Sequence, residues 1–190
     1  MELLGVVLAY LIGSVSFGVM VGWWHRTEIR LRDLPGASGV FRQVGSGWGL
    51  LVGLLDILKG LSVAWLGWSL GLGDWALGAM GAAVVVGHCY PVYFGFRGGG
   101  GILTAVGFVM MMVPNLLAMG AAIGLAVAAF YYPLYWHRHR KSIYPLPLAA
   151  AIAGGVMLVL LVDRPQDWGA VLPPILALGV RGLSFSRGTR

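Results

Sequence analysis

The chain has 190 residues, of which 58% are hydrophobic and only 11% charged, with a mean hydropathy of +0.83. A soluble domain carries roughly 25% charged residues, so this composition excludes a soluble globular protein and leaves surplus apolar surface for lipid. The net charge of +6 does not indicate nucleic acid, because the basic residues stand in short gaps between apolar runs rather than on one polar face.

The pattern predicts an all-α, polytopic membrane helical bundle of seven spans, forming a single integral membrane domain over residues 1–190. Span one covers residues 3–24. It lacks a basic leader and is longer than a signal-peptide core, so it is kept as a span. A polar loop follows over 25–46. Span two, about 48–72, contains Asp56 and Lys59, and a Gly-Leu-Gly-Asp turn ends at Asp74. Span three starts at Trp75 and is cut short or broken near 87–91. A Gly-rich segment then leads into a stretch, 102–136, with no charged residue. Its 35 residues are too many for one ordinary span. Pro114-Asn115 is the natural turn, giving a short span four to about residue 113 and a span five over 116–136. Span six is about 146–162, span seven about 168–180, and Arg181, Arg187 and Arg190 fall in the tail.

Orientation follows from the loops. Eleven Lys/Arg residues, among them Arg26, Arg30, Arg32, Arg42, Arg97, Arg138, Arg140 and Lys141, lie on one side and only Arg164 on the other. The positive-inside rule places the N-terminus outside and the C-terminus inside. Tryptophans 23, 24, 48, 75, 136 and 168 fall near proposed span ends, as an interfacial aromatic belt requires. Fusing spans four and five would move Arg138, Arg140 and Lys141 outside, so the charges also support a turn at Pro114.

Three constellations carry possible chemistry. Asp56 and Lys59 share a helix face and are either the wall of a substrate site or a structural ion pair, since charges inside a span face protein or water. The segment 87–101 holds His88, Arg97 and the consecutive glycines Gly98, Gly99, Gly100 and Gly101. It is either an anion cradle at a helix N-terminus, with Arg97 as clamp, or a flexible turn. It is not a Walker A loop, for no Gly-Lys-Ser/Thr follows. By itself His88 reads as a hydrogen-bonded packing residue. In the first loop Ser38 and Arg42 are either phosphate contacts or part of an ordinary turn. Ser14 and Ser16 can act as polar contacts between helices, and the basic loops can attract anionic lipid. The single cysteine, Cys89, allows no intrachain disulfide and no metal-ligand spacing; it reads as a packing residue.

Taken in order, these pieces resemble the PlsY family of bacterial acyl-phosphate:glycerol-3-phosphate acyltransferases. Gly13-Ser14-Val15-Ser16-Phe17-Gly18 is similar to its G-S-[IV]-P-F-G, and Asp56-Ile57-Leu58-Lys59-Gly60 to its D-x-x-K-G. The run from Gly87-His88 through Gly98-Gly99 to Thr104 is similar to G-H-x-F-P-V…F-x-G-G-K-G-V-A-T, and residues 36–42 to the end of G-S-G-N-I-G-A-T-N-V-x-R. The resemblance implies a seven-span bundle in the cell membrane, the inner membrane of a bacterium. There it transfers an acyl group from acyl phosphate to glycerol 3-phosphate, giving lysophosphatidate for phospholipid synthesis. It implies no metal and no cofactor, and adds membrane lipid and other enzymes of phospholipid synthesis as partners. Carried over residue by residue, it gives His88, Lys59 and Ser38 catalytic roles. Arg42, Arg97, the four glycines and Thr104 become phosphate contacts, supported by Ser14 and Asp56. The departures are specific. The G-S-G-N portion is missing before Pro35, T-N becomes Ser38-Gly39, Gly100 replaces the family lysine, and the C-terminal motif survives only as fragments such as Gly188-Thr189. These departures leave two alternatives beside a working enzyme: an impaired paralogue that binds lipid or phosphate, and a small transporter built on Asp56 and Lys59.

Overall fold

The computed structural model describes residues 1–139 and 144–188, with side chains as far as Leu183. Arg140, Lys141, Thr189 and Arg190, and the side chain of Arg187, lie outside what is described. The described chain is helical: α1 (Glu2–Gly13), α2 (Phe17–Trp24), α3 (Ala37–Gln43), α4 (Ser46–Ser69), α5 (Asp74–Cys89), α6 (Ile102–Met112), α7 (Pro114–Tyr131), α8 (Pro145–Leu160) and α9 (Trp168–Gly188). Among the described residues, five stretches are long and apolar enough to cross a membrane: Glu2–Trp24, Ser46–Ser69, Asp74–Phe94, Pro114–Trp136 and Pro145–Asp163. The 11 residues of α6 rise only about 16 Å.

Span one is not the continuous helix the sequence suggests. It breaks at residues 14–16. The Ser14 hydroxyl donates back to the Tyr10 carbonyl at 2.9 Å, and Ser16 is extended, with φ −96° and ψ 94°. Serine hydroxyls compete with the helical ladder in this way, and the next helix starts at Phe17. The break at Pro114 is as expected: Val113, with φ −139° and ψ 64°, separates α6 from α7. The first polar loop is more ordered than a loop, because residues 37–43 form α3 and Ile29 and Val40 bury themselves against Val52 of α4. The last span also differs. α9 runs through Pro173 and Pro174 and past Val180, so Arg181 sits on a helix, not in a tail.

Helices pair as α1 with α5, α4 with α6, α5 with α9, and α7 with α8. Small residues set the close approaches. A Cβ on Gly60 of α4 would fall on the Thr104 carbonyl, and one on Gly107 of α6 on the Ile57 carbonyl. The central core gathers Val63, Met80, Val84, Phe108 and Val171, all buried. Trp24, Trp65 and Trp68 remain exposed, as lipid-facing side chains do.

Candidate active site

The spacing of Asp56 and Lys59 on α4 puts both on its inner face, where they are only 2% and 5% exposed. Lys59 Nζ lies 3.2 Å from Asp56 Oδ1 and 3.1 Å from His88 Nδ1, which α5 brings in. It also donates to the carbonyl oxygens of Gly13 at 3.2 Å and Val15 at 2.9 Å. His88 Nδ1 is 3.4 Å from Asp56 Oδ1. Depending on tautomer, that nitrogen accepts from Lys59 or donates to Asp56. The ammonium is thus surrounded by oxygen and nitrogen ligands, and the three buried polar side chains compensate one another. Asp56 Oδ1 has close ionic neighbours but no well-aligned hydrogen bond. Ser14 belongs to the same neighbourhood, since its oxygen accepts from the Val92 N–H at 3.3 Å.

The Gly-rich segment folds back on the end of α5. The Gly98 and Gly99 N–H groups donate to the Cys89 and His88 carbonyls, each at 3.1 Å. Side chains are excluded there, because a Cβ on Gly99 would collide with His88 Nε2 and one on Gly98 with the His88 carbonyl. Gly101 precedes α6 with φ +82°, the left-handed region that favours glycine. Gly100 is different. A Cβ there meets nothing closer than Leu34 Cδ1 at 3.8 Å. Among the described residues no backbone acceptor takes the Gly100 or Gly101 N–H, and the first N–H groups of α6 have no intrahelical acceptor. Thr104, in that first turn, is fully buried with no hydrogen-bond partner for its hydroxyl. Ser16 Oγ, at the start of α2, is buried in the same state.

Ser38 and Arg42 sit on α3, both exposed. α3 begins beside α6: Ala37 and Leu103 both lie against Gly53 of α4. Arg42 pairs with Asp33, and its guanidinium lies 5.6 Å from the Tyr144 ring centre. Arg97 is exposed and borders a polar cavity of about 470 Å³ with Glu28, Arg30 and Phe94. Arg30 closes its other side. It pairs with Glu28 at 2.6 Å, donates to the Phe94 carbonyl at 3.0 Å and lies over Trp23. The hydrogen bond from Arg30 holds the Glu28 carboxyl down at about 2. An apolar cleft of about 350 Å³ opens beside the break in span one, lined by Ile12, Val15, Phe17, Leu55, Leu58, Lys59 and Ser62.

The structure therefore joins Asp56, Lys59, His88 and Ser14 with Gly98 and Gly99. Thr104 packs on Gly60, next to Lys59, and Arg42 and Arg97 stay on the polar surface. Sequence reasoning missed Arg181, which reaches the segment from α9 and donates to the Gly98 carbonyl at 3.2 Å. It also missed Arg30 and Tyr10, whose hydroxyl donates to the Tyr90 carbonyl at 2.9 Å. Glu28, two residues before Arg30, was the available signal for a braced loop. Arg181 carries no such signal, because the sequence places it beyond the last span.

The family model described as glycerol-3-phosphate acyltransferase matches residues 3–179. "Glycerol-3-phosphate acyltransferase 2" of Deinococcus radiodurans is 38% identical over 181 residues, covering 93% of this chain and 90% of the relative. The glycerol-3-phosphate acyltransferase of Pseudomonas aeruginosa is 35% identical over 177 residues, covering 92% and 86%. Among solved structures, the glycerol 3-phosphate form of PlsY (YgiH), an integral membrane glycerol 3-phosphate acyltransferase, superposes with a TM-score of 0.82. It is 29% identical, with 98% of this chain and 89% of that chain covered. The lysophosphatidic acid form gives 0.79.

Proposed function

The chain belongs to the PlsY family of glycerol-3-phosphate acyltransferases, and we propose that it acylates glycerol 3-phosphate from acyl phosphate with the site assembled around residues 98–104. The glycerol hydroxyl oxygen attacks the acyl carbon and the bond from that carbon to the phosphate oxygen breaks. The hydroxyl proton leaves with the phosphate, and the product is lysophosphatidate. The observation that carries the site assignment is the start of α6. Unspent N–H groups, a left-handed Gly101 and the buried, unpartnered Thr104 hydroxyl converge there, a donor set suited to a phosphoryl group. Arg97 and Arg42, on neighbouring polar surface, are the cations that draw in the two phosphate-bearing substrates. Ser38, exposed at the start of α3, contacts the glycerol phosphate.

Lys59 and His88 act from behind this surface. Both are buried and bonded to each other, and the His88 ring backs Gly99. In this reading they fix the segment and the Ser14 turn, with Asp56 as counter-charge, and any proton transfer by His88 passes through Nε2 at Gly99. The apolar cleft beside Lys59 takes the acyl chain. The same burial weighs against a transporter, whose charges would line a path, and similarity over 93% of the chain favours an enzyme over a binding-only paralogue. Topology follows the same reading: α1–α2, α4, α5, α6, α7, α8 and α9 are the seven spans, N-terminus outside. Other enzymes of phospholipid synthesis supply the acyl phosphate and consume the product.

The test is direct. Purified protein in liposomes receives acyl phosphate and glycerol 3-phosphate, and phosphate release and lysophosphatidate are measured. No product above protein-free liposomes overturns the reading.

A further inference from the structure

Relative to the family motif this chain lacks a lysine at position 100, so a phosphoryl group at the start of α6 would meet N–H dipoles and no fixed cation. The last helix changes that. Three residues apart on α9, Leu178 and Arg181 share one face. Leu178 Cδ2 lies 3.3 Å from a Cβ built on Gly101, and Arg181 Nη2 donates to the Gly98 carbonyl at 3.2 Å. That face therefore spans both ends of the Gly-rich segment. The guanidinium also stacks on Tyr90, with 4.7 Å to the ring centre, and Tyr90 is itself tied to Tyr10 of α1. Arg181 is therefore held at a fixed place rather than extended into water.

We infer that Arg181 supplies the phosphate site with the positive charge that position 100 no longer provides. The inference rests on reading residues 98–104 as that site. Two physical effects follow from the contact. A guanidinium stays charged at every physiological pH, and in a partly buried setting its field is weakly screened. In addition, it occupies the Gly98 carbonyl and so offsets the partial negative charge of that oxygen. With the Gly98 and Gly99 N–H groups turned to α5, the cation and the N–H groups that follow form one positive surface. The ligand is the phosphoryl group of acyl phosphate or of glycerol 3-phosphate, and separate KM values for the two substrates identify which.

The experiment uses the full chain in liposomes. Arg181→Gln should lower kcat/KM by about tenfold to a hundredfold, the range of a lost hydrogen bond to a charged group, and weaken inhibition by inorganic phosphate. Arg181→Lys should stay within about threefold of the parent, since charge is kept. Gly100→Lys added to Arg181→Gln should recover most of the loss, which restored packing alone cannot do. A folded Arg181→Gln protein with parental kcat/KM, or a loss that Gly100→Lys leaves untouched, overturns the inference. If Arg181→Gln does not accumulate, folded Arg181→Lys decides: a loss beyond about tenfold overturns it. Thr104→Val separates the two claims. If it is fully active and inorganic phosphate does not inhibit the parent, the site reading falls. If it is impaired while Arg181→Gln is not, only the role of Arg181 falls.

Discussion

Lys59 donates to the carbonyl oxygen of Val15 at 2.9 Å, across the break that divides the first span. In lipid a freed backbone carbonyl has no water to bond and must be satisfied by protein. Gly13 and Val15 lose their helical partners where the chain turns at Ser16, and the buried ammonium replaces them. Asp56 and His88 then balance the ammonium from α4 and α5. One lysine thus couples three spans.

Lys59→Met should therefore destabilise the bundle strongly. It strips Asp56 of its counter-ion and leaves two carbonyls unpaired, and breaking a buried ion pair from one side costs about 3–5 kcal/mol. The measurement is thermal unfolding in detergent. Adding Asp56→Asn should recover part of the loss, because the orphaned charge goes with it. A Lys59→Met protein as stable as the parent would show that water, not the ion pair, satisfies the break.

Much of this was readable beforehand. Asp56 and Lys59 stood out because charges in an apolar run are costly, and their spacing of three fixed a shared face. The turn at Pro114 followed from proline's missing N–H. What stayed hidden was set by tertiary contact. Nothing local announces that Ser14 and Ser16 break a helix, since serine is tolerated in spans when its hydroxyl bonds backward. The end of α9 was missed because the arginines after Val180 read as a basic tail, whereas here the packing of Leu178 and Arg181 on the Gly-rich segment carries the helix onward.

Close packing of α4 on α6 gives a second prediction. Gly60→Ala should destabilise by about 1–3 kcal/mol, the cost of forcing extra volume into a packed contact, since the new methyl meets the Thr104 carbonyl. The same change should lower activity by displacing the start of α6. Gly155→Ala is the control. A Cβ there meets nothing within 4 Å, so helix propensity should stabilise it by about 0.5–1 kcal/mol. Equal melting temperatures for the two variants would contradict the packing.

Glu28 and Arg30 brace the first loop against the 92–95 turn, and the brace should have a defined acid limit. The folded carboxyl titrates at about 2, below its ordinary 4.5, because Arg30 hydrogen-bonds the ionised form. A lowered carboxylate contributes stability that is complete above the unfolded value and lost as pH falls through the folded one. The loop should hold at neutral pH and weaken between about 4.5 and 2. Amide exchange over residues 26–33 measures this. In Glu28→Gln the loop should be looser at neutral pH and no longer respond in that window.

Arg97 and Arg42 should act mainly through capture. Both are exposed, so their field is screened by salt. Arg97→Ala should raise KM for a phosphate-bearing substrate by about tenfold with a smaller change in kcat, and the parent's KM should rise with ionic strength more steeply than the variant's. Arg42→Ala should behave alike but more weakly, since Asp33 already shares its charge. A pure kcat effect at Arg97 would instead mean contact in the transition state.

Gly100 offers the most discriminating change. Its neighbours Gly98 and Gly99 cannot accept a side chain without striking α5, and Gly101 needs its left-handed backbone. Gly100 has open space beyond Leu34 and no positive φ. Gly100→Lys should therefore fold with parental stability, whereas Gly101→Lys should not. A lysine at position 100 adds a cation beside the N–H groups of α6, so turnover should rise about fivefold to tenfold, equivalent to about 1–1.4 kcal/mol, the low end for one added electrostatic contact. The gain should be larger when Arg181 is absent than when it is present, because two cations serving one phosphate share its charge and their effects do not add. A folded Gly100→Lys protein with unchanged or lower turnover in both backgrounds would show that the segment does not meet the phosphate in the family's geometry.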